Sequence, residues 1–116
     1  MSDRDNLFKR IIRGEIPCSK VYEDDEVLAF HDIAPVAPTH ILIIPKAGID
    51  SLNELTEASA VLAGKLLLRA SLLAKSLGFS EDGYRVVINT NEAGGQTVPH
   101  LHAHLLAGRR MTWPPG

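Results

Sequence analysis

Apolar and polar positions alternate most strictly near the end of the chain, over residues 100–106, His-Leu-His-Ala-His-Leu-Leu. A β-strand has a period of two, so this stretch puts His100, His102 and His104 on one face and Leu101, Ala103 and Leu105 on the other. A helix would scatter the same imidazoles at about 100° per residue. The pattern predicts a strand with an apolar back and a row of imidazoles about 7 Å apart facing a site.

The rest of the chain supplies the frame for that strand. Leu7, Phe8, Ile11 and Ile12 stand at helical spacing behind a cap at Asp5 or Asn6, predicting a short helix to about Arg13 that Gly14 ends. Lys20–Glu23 and Val27–His31 read as a hairpin about Asp24-Asp25. Two prolines stiffen residues 32–39, and residues 40–45 are nearly all apolar, as in a central strand buried on both faces. A turn over 51–55 leads to a long helix over 57–77, capped by Thr56 and stopped by Gly78. Residues 83–89 read as a further strand and 91–98 as a loop. The sum is an α+β sandwich of one domain over 1–116, with about five mostly antiparallel strands, one long helix and one short helix.

On the long helix Leu62, Ala63, Leu66, Leu67, Ala70, Leu73, Ala74 and Leu77 form one broad arc, and Lys65, Arg69 and Ser76 a narrow polar stripe. That arc is wider than packing on one sheet requires. It predicts a second buried contact, most simply a homodimer.

Composition narrows the function classes. The chain has 116 residues and a net charge of −2, so it lacks the basic footprint of a nucleic-acid binder. Any phosphate must then be held by local groups rather than a global field. The lone Cys18 precludes an internal disulfide and suits a reducing compartment. The polar start carries no apolar signal core, and Lys65, Arg69 and Lys75 interrupt the longest apolar region. A cytoplasmic protein without a membrane span is expected.

Three imidazoles in a row can bind a metal, bind an anion, or supply a nucleophile. Three histidines and a water make a catalytic zinc site in other enzymes. Here they come from successive positions on one strand, fan along a line, and have no acidic residue among them or Cys pair nearby. No metal and no cofactor are therefore expected. The anion reading gains from Gly94-Gly95-Gln96-Thr97, whose glycines let backbone N–H groups approach an oxyanion while Thr97 adds a hydroxyl. A neutral imidazole is a competent nucleophile toward phosphorus, and a second one can carry the proton or the phosphate charge.

The run from His100 to Leu106 is similar to the His-φ-His-φ-His-φ-φ signature of the histidine triad (HIT) superfamily. The resemblance extends over residues 8–17, Glu23-Asp24-Asp25, residues 29–40, and the closing Gly-Arg-Arg-Met-Thr-Trp-Pro-Pro-Gly of residues 108–116, which looks like the Hint branch. It implies a HIT-like fold, a homodimer, and hydrolysis of purine nucleoside 5′-phosphoramidates. His102 would attack the α-phosphorus to form a nucleotidyl-histidine, and water would release the 5′-monophosphate. By the same resemblance His104 would bind the phosphate and help protonate the leaving amine. His100 would orient His102, and His40 would support His100. Asp32 would hold the ribose hydroxyls, with Asn89, Gly95, Gln96 and Thr97 around ribose and phosphate. Phe8, Ile11, Ile16, His31 and Ile33 would form the base cleft. Trp113 would reach the partner protomer's site and shape leaving-group preference.

Two departures refine this expectation. Thr97 stands where Hint proteins often carry serine, keeping the hydroxyl but adding a stiff methyl. Gln96-Thr97-Val98-Pro99 also resembles the Fhit branch, which cleaves dinucleoside polyphosphates and is the nearest alternative activity. A non-catalytic purine-nucleotide-binding module is the other alternative. Some bacterial relatives hold zinc with a Cys-x-x-Cys near the start, but the corresponding positions here are Asn6 and Lys9.

Overall fold

The computed structural model describes residues 5–116. Asn6 caps helix α1 (Leu7–Ile12), its side-chain oxygen accepting from Lys9 N at 2.9 Å. Strands β1 (Lys20–Glu23) and β2 (Val27–His31) form the expected hairpin. Asp24 shapes its turn, with Oδ1 accepting from the N–H groups of Glu26 and Val27. Strand β3 (Thr39–Pro45) follows the proline-stiffened loop. Two single 3-10 turns, Leu52–Glu54 and Glu57–Ser59, lead into helix α2 (Ala60–Leu77), which ends at Gly78. The long helix thus starts three residues later than its pattern suggests. Thr56 still opens the segment, in a capping box with Ser59. Strand β4 (Arg85–Val87), helix α3 (Asn91–Gly94) and strand β5 (Ala103–Ala107) complete the chain.

The five strands form one sheet in the order β1-β2-β3-β5-β4, every neighbouring pair antiparallel. Side chains alternate across it. Val27, Ala29, Ile41, Ile43, Leu101, Ala103 and Leu105 face Leu66, Ala70 and Leu73 of α2. Leu28, Phe30, Leu42 and Ile44 gather on the opposite face with Phe8 of α1. Strand β3 is therefore apolar on both sides because both sides are covered. Among the described residues, no helix is long and apolar enough to cross a membrane.

Three elements differ from the sequence expectation. The histidine strand begins only at Ala103, although the alternation continues upstream through His102 and Leu101. Pro45 at the end of β3 has no N–H for the ladder, and Leu101 N–H bonds to Ile49 O at 2.7 Å instead. The 83–89 strand contracts to Arg85–Val87. The loop at 91–98 contains the single-turn helix α3, closed by Gly95 in the left-handed region at φ 84°.

A close approach fixes the loop before β3. Gly108, at φ 94°, lies so near the Pro38 ring that a Cβ there would stand 2.7 Å from Pro38 Cβ. Arg109 Nε donates to Val36 O at 3.1 Å from the same side.

Candidate functional site

On the face of the sheet away from α2, a cavity of about 320 Å³ opens between α1, the end of β2 and the histidine segment. His102, His104 and Thr97 stand in its wall with Asp32 and His31 from the end of β2, and Phe8, Ile11, Ile16 and Ile33 supply apolar surface. Nine of the residues expected from the sequence thus meet around one space. Ile33 is 97% exposed at the rim, an apolar side chain left without a packing partner. Leu7, Pro17, Cys18, Phe30, Leu42 and Val98 also line the cavity and were not anticipated. For Phe30 and Leu42 a signal existed: each shares the strand parity of the site face.

The histidines differ in their surroundings. His100 is fully buried, and its Nε2 donates to Pro45 O at 2.8 Å. His102 lies edge-to-face against Phe8, and its Nδ1 donates to His100 O at 2.6 Å. A carbonyl only accepts, so His102 carries its proton on Nδ1 and keeps a lone pair on Nε2. His104 packs against His102 with ring centroids 4.9 Å apart. His40, buried one layer behind, places Nε2 2.9 Å from His104 Nδ1 and 3.4 Å from Asp32 Oδ2. Burial lowers the pKa of all four below the ordinary histidine value. The effect is largest for His104, held at about 4 by burial and then by the neighbouring His102 and His40. The row is neutral at pH 7.

Several expected positions are corrected. His40 supports His104, not His100, because the β3–β5 register pairs Leu42 with His104 and leaves His40 diagonally beside it on the same face. The contact from His100 to His102 runs through the His100 main-chain carbonyl. The N–H groups of Gly95 and Gln96 are spent closing α3, on Glu92 O and Asn91 O. The Gln96 side chain braces the loop, donating to Asp50 O and Val98 O and accepting from Asn91 N. It lines a second cavity of about 460 Å³ with Asp50, Glu54 and Asn91, and Thr97 belongs to both cavities. Asn89 and Gly95 line neither. Trp113 is 81% exposed and lines neither cavity of this chain, and Arg85 donates to Thr112 O beside it.

Asp32, His40 and His104 bring one ligand-type atom each within 4.8 Å of one another. The acidic partner missing from the histidine segment therefore arrives from the 32–39 loop. At 2.9 Å, the two ring nitrogens stand at hydrogen-bond distance, closer than two ligands at about 2.0 Å on a tetrahedral zinc would stand to each other. These residues fit a shared proton better than a metal ion.

The chain is 52% identical over 118 residues to the 14 kDa zinc-binding protein of Zea mays, covering all of this chain and 91% of that protein. It is 49% identical over 117 residues to adenylylsulfatase HINT1 of Arabidopsis thaliana, covering 99% and 79% respectively. Its backbone matches the crystal structure of a HIT family hydrolase from Legionella pneumophila with a TM-score of 0.94 at 53% identity, covering 97% of this chain and all of that one. The family model for the HIT domain matches residues 13–111, from the end of α1 past β5. With the imidazole row on its antiparallel sheet and these relatives along nearly its whole length, the chain belongs to the histidine triad, or HIT, family.

Proposed function

We propose that this protein is a nucleotide-binding hydrolase that cleaves the P–N bond of purine nucleoside 5′-phosphoramidates. One observation carries the reading: a single cavity joins an apolar cleft, a carboxylate, and a neutral imidazole whose Nε2 has no hydrogen-bond partner among the described residues. The purine would lie between Phe8, Ile11, Ile16 and Ile33. Asp32 would accept from the ribose hydroxyls.

In the first step His102 Nε2 attacks the α-phosphorus. The new N–P bond forms as the bond to the leaving nitrogen breaks, and that nitrogen takes a proton from His104, which recovers it from the attacking water in the second step, to depart as an amine. Water then attacks the nucleotidyl-histidine, releasing nucleoside 5′-monophosphate and restoring His102. His104 stabilises charge on the phosphate oxygens. Thr97, shared by both cavities, is suited to the side from which the amine leaves.

The protein acts as a homodimer on this reading. Val61, Leu68 and Leu72 form an exposed apolar stripe on α2, and Leu67 at the edge of the expected core arc and Leu77 at the helix end are exposed as well. A second copy would cover that stripe and bring its Trp113 toward the site. Free Cys18 agrees with a cytoplasmic setting.

The test is turnover of an adenosine 5′-phosphoramidate bearing a fluorescent amine, with and without EDTA, beside His102→Ala. EDTA-insensitive release that disappears in the variant, with AMP binding retained, supports the reading. Release that survives His102→Ala removes His102 as nucleophile. No release from the native protein shifts the assignment to dinucleoside polyphosphates or a binding role. Adenylylsulfate belongs in the same assay, because the Arabidopsis relative carries that activity in its name. Loss with EDTA alone would make the reaction metal-dependent.

A further inference from the structure

The 32–39 loop holds more than a carboxylate. Val36 N–H donates to His40 Nδ1 at 3.2 Å. A backbone N–H can only donate, so His40 Nδ1 is bare and the ring carries its proton on Nε2. That Nε2–H faces His104 Nδ1 at 2.9 Å, which must then accept. His104 is left with its proton on Nε2, in the wall of the cavity. A chain of two hydrogen bonds thus decides what His104 shows to a ligand.

We propose that the Val36 peptide is a positioning group for the triad: through His40 it fixes His104 as the Nε2–H tautomer, a hydrogen-bond donor beside the lone pair of His102. The inference rests on the phosphoramidase reading only for its catalytic consequence. The two neighbouring rings then have opposite roles. His102, bonded to its own main chain, presents an acceptor atom and hence a nucleophile, whereas His104 presents a donor to phosphate oxygen. With the opposite tautomer His104 would aim a second lone pair at an anion and repel it.

Val36 is held on both sides. Its N–H goes to His40, and its carbonyl accepts from Arg109 just after β5. Pro38, two residues on, packs on Gly108. Asp32 closes the other end, its N–H donating to His40 O at 2.9 Å and its Oδ1 accepting from Ala34 N–H at 2.8 Å. Asp32 Oδ2, at 3.4 Å, favours a proton on the same His40 nitrogen. Burial of His40 and His104 keeps both rings neutral, the condition under which a tautomer has meaning.

The experiment is long-range ¹H–¹⁵N correlation NMR of the ligand-free protein at pH 7, with side-chain assignments from single histidine variants. His40 and His104 should each show a protonated Nε2 and a bare Nδ1, while His102 shows the reverse. A His104 protonated on Nδ1 overturns the proposal. In Val36→Pro, which removes that N–H, the His40 and His104 tautomers should mix. On the phosphoramidate, kcat should then fall at least about tenfold with KM within about twofold. Arg109→Ala, which frees the carbonyl of the same residue, should give the same signature more weakly and stands in should the proline variant not fold. Unchanged tautomers and unchanged kcat in a folded variant also overturn the proposal. Because the spectra need no substrate, expected tautomers in a protein without phosphoramidase turnover would sink the activity reading and leave the positioning role intact.

Discussion

Phe8 of α1 meets the His102 ring edge-to-face, centroids 5.0 Å apart and planes at 85°. The same phenyl ring touches Phe30 and His100 in similar geometry. One buried side chain of a six-residue helix therefore supports the ring assigned as nucleophile, and Asn6, which caps that helix, donates to Pro99 O beside the histidine segment. Phe8→Leu keeps most of the apolar volume and removes the ring contacts. It should cost about 1 kcal/mol in urea denaturation and lower kcat/KM by more than that stability loss would suggest. An unchanged kcat/KM would show that His102 needs no aromatic support.

The buried imidazoles make stability depend on pH. His104 is held at about 4 in the fold and returns to about 6.5 when unfolded. Between those values the unfolded chain binds a proton that the native chain does not, so stability rises with pH across this window. The contribution is complete above about pH 6.5 and is lost as the pH falls toward 4. His40, His100 and His102 shift in the same direction, with burial the largest cause. Thermal melts from pH 7.5 to 4.5 should show Tm falling steadily. His104→Asn should reduce the slope, and an equal slope in that variant would locate the titration elsewhere.

Gly108→Ala should be among the more damaging methyl additions. The new Cβ would overlap the Pro38 ring, and the backbone there sits at a φ of 94° that alanine resists. A loss of about 1–3 kcal/mol is expected in chemical denaturation. Because Pro38 belongs to the loop that carries Asp32 and Val36, nucleotide affinity should fall as well. Full affinity in the folded variant would uncouple that loop from the ligand.

Leu68 stands in the middle of the exposed stripe on α2. If a second copy covers it, Leu68→Glu should shift sedimentation from dimer to monomer while leaving circular dichroism unchanged. A native protein that sediments as a monomer at micromolar concentration would refute the dimer directly.

What the sequence revealed follows from how local each signal is. Strands β1 and β2 were legible to the residue because alternation and an Asp-Asp turn are short-range features. The site face of His104 was legible for the same reason. The partnership of His40 with His104 was not, since it depends on the register between strands 64 residues apart. The glycines before Thr97 suggested open donors, but one helical turn takes the N–H groups of Gly95 and Gln96, and short loops give little warning of such turns. The apolar arc of α2 was drawn correctly around Leu66, Ala70, Leu73 and Ala74, yet Leu67 at its edge and Leu77 at the last position of the helix stayed exposed. Helical spacing gives direction around the axis, not the width of the surface it meets.

The pairing of β3 with β5 has a kinetic meaning. Closing it brings together segments separated by α2, β4 and α3, and such long-range contacts form only after a large loss of chain entropy. The hairpin of β1 and β2 can form early and alone, but it carries no complete chemistry. His40 meets His104 only when the central ladder has zipped, so chemical competence should appear together with the last cooperative step of folding. A nascent chain that ends before His100 would hold the apolar residues of the cleft and the carboxylate without the imidazole row, and its chemistry would have to wait until synthesis had passed His104.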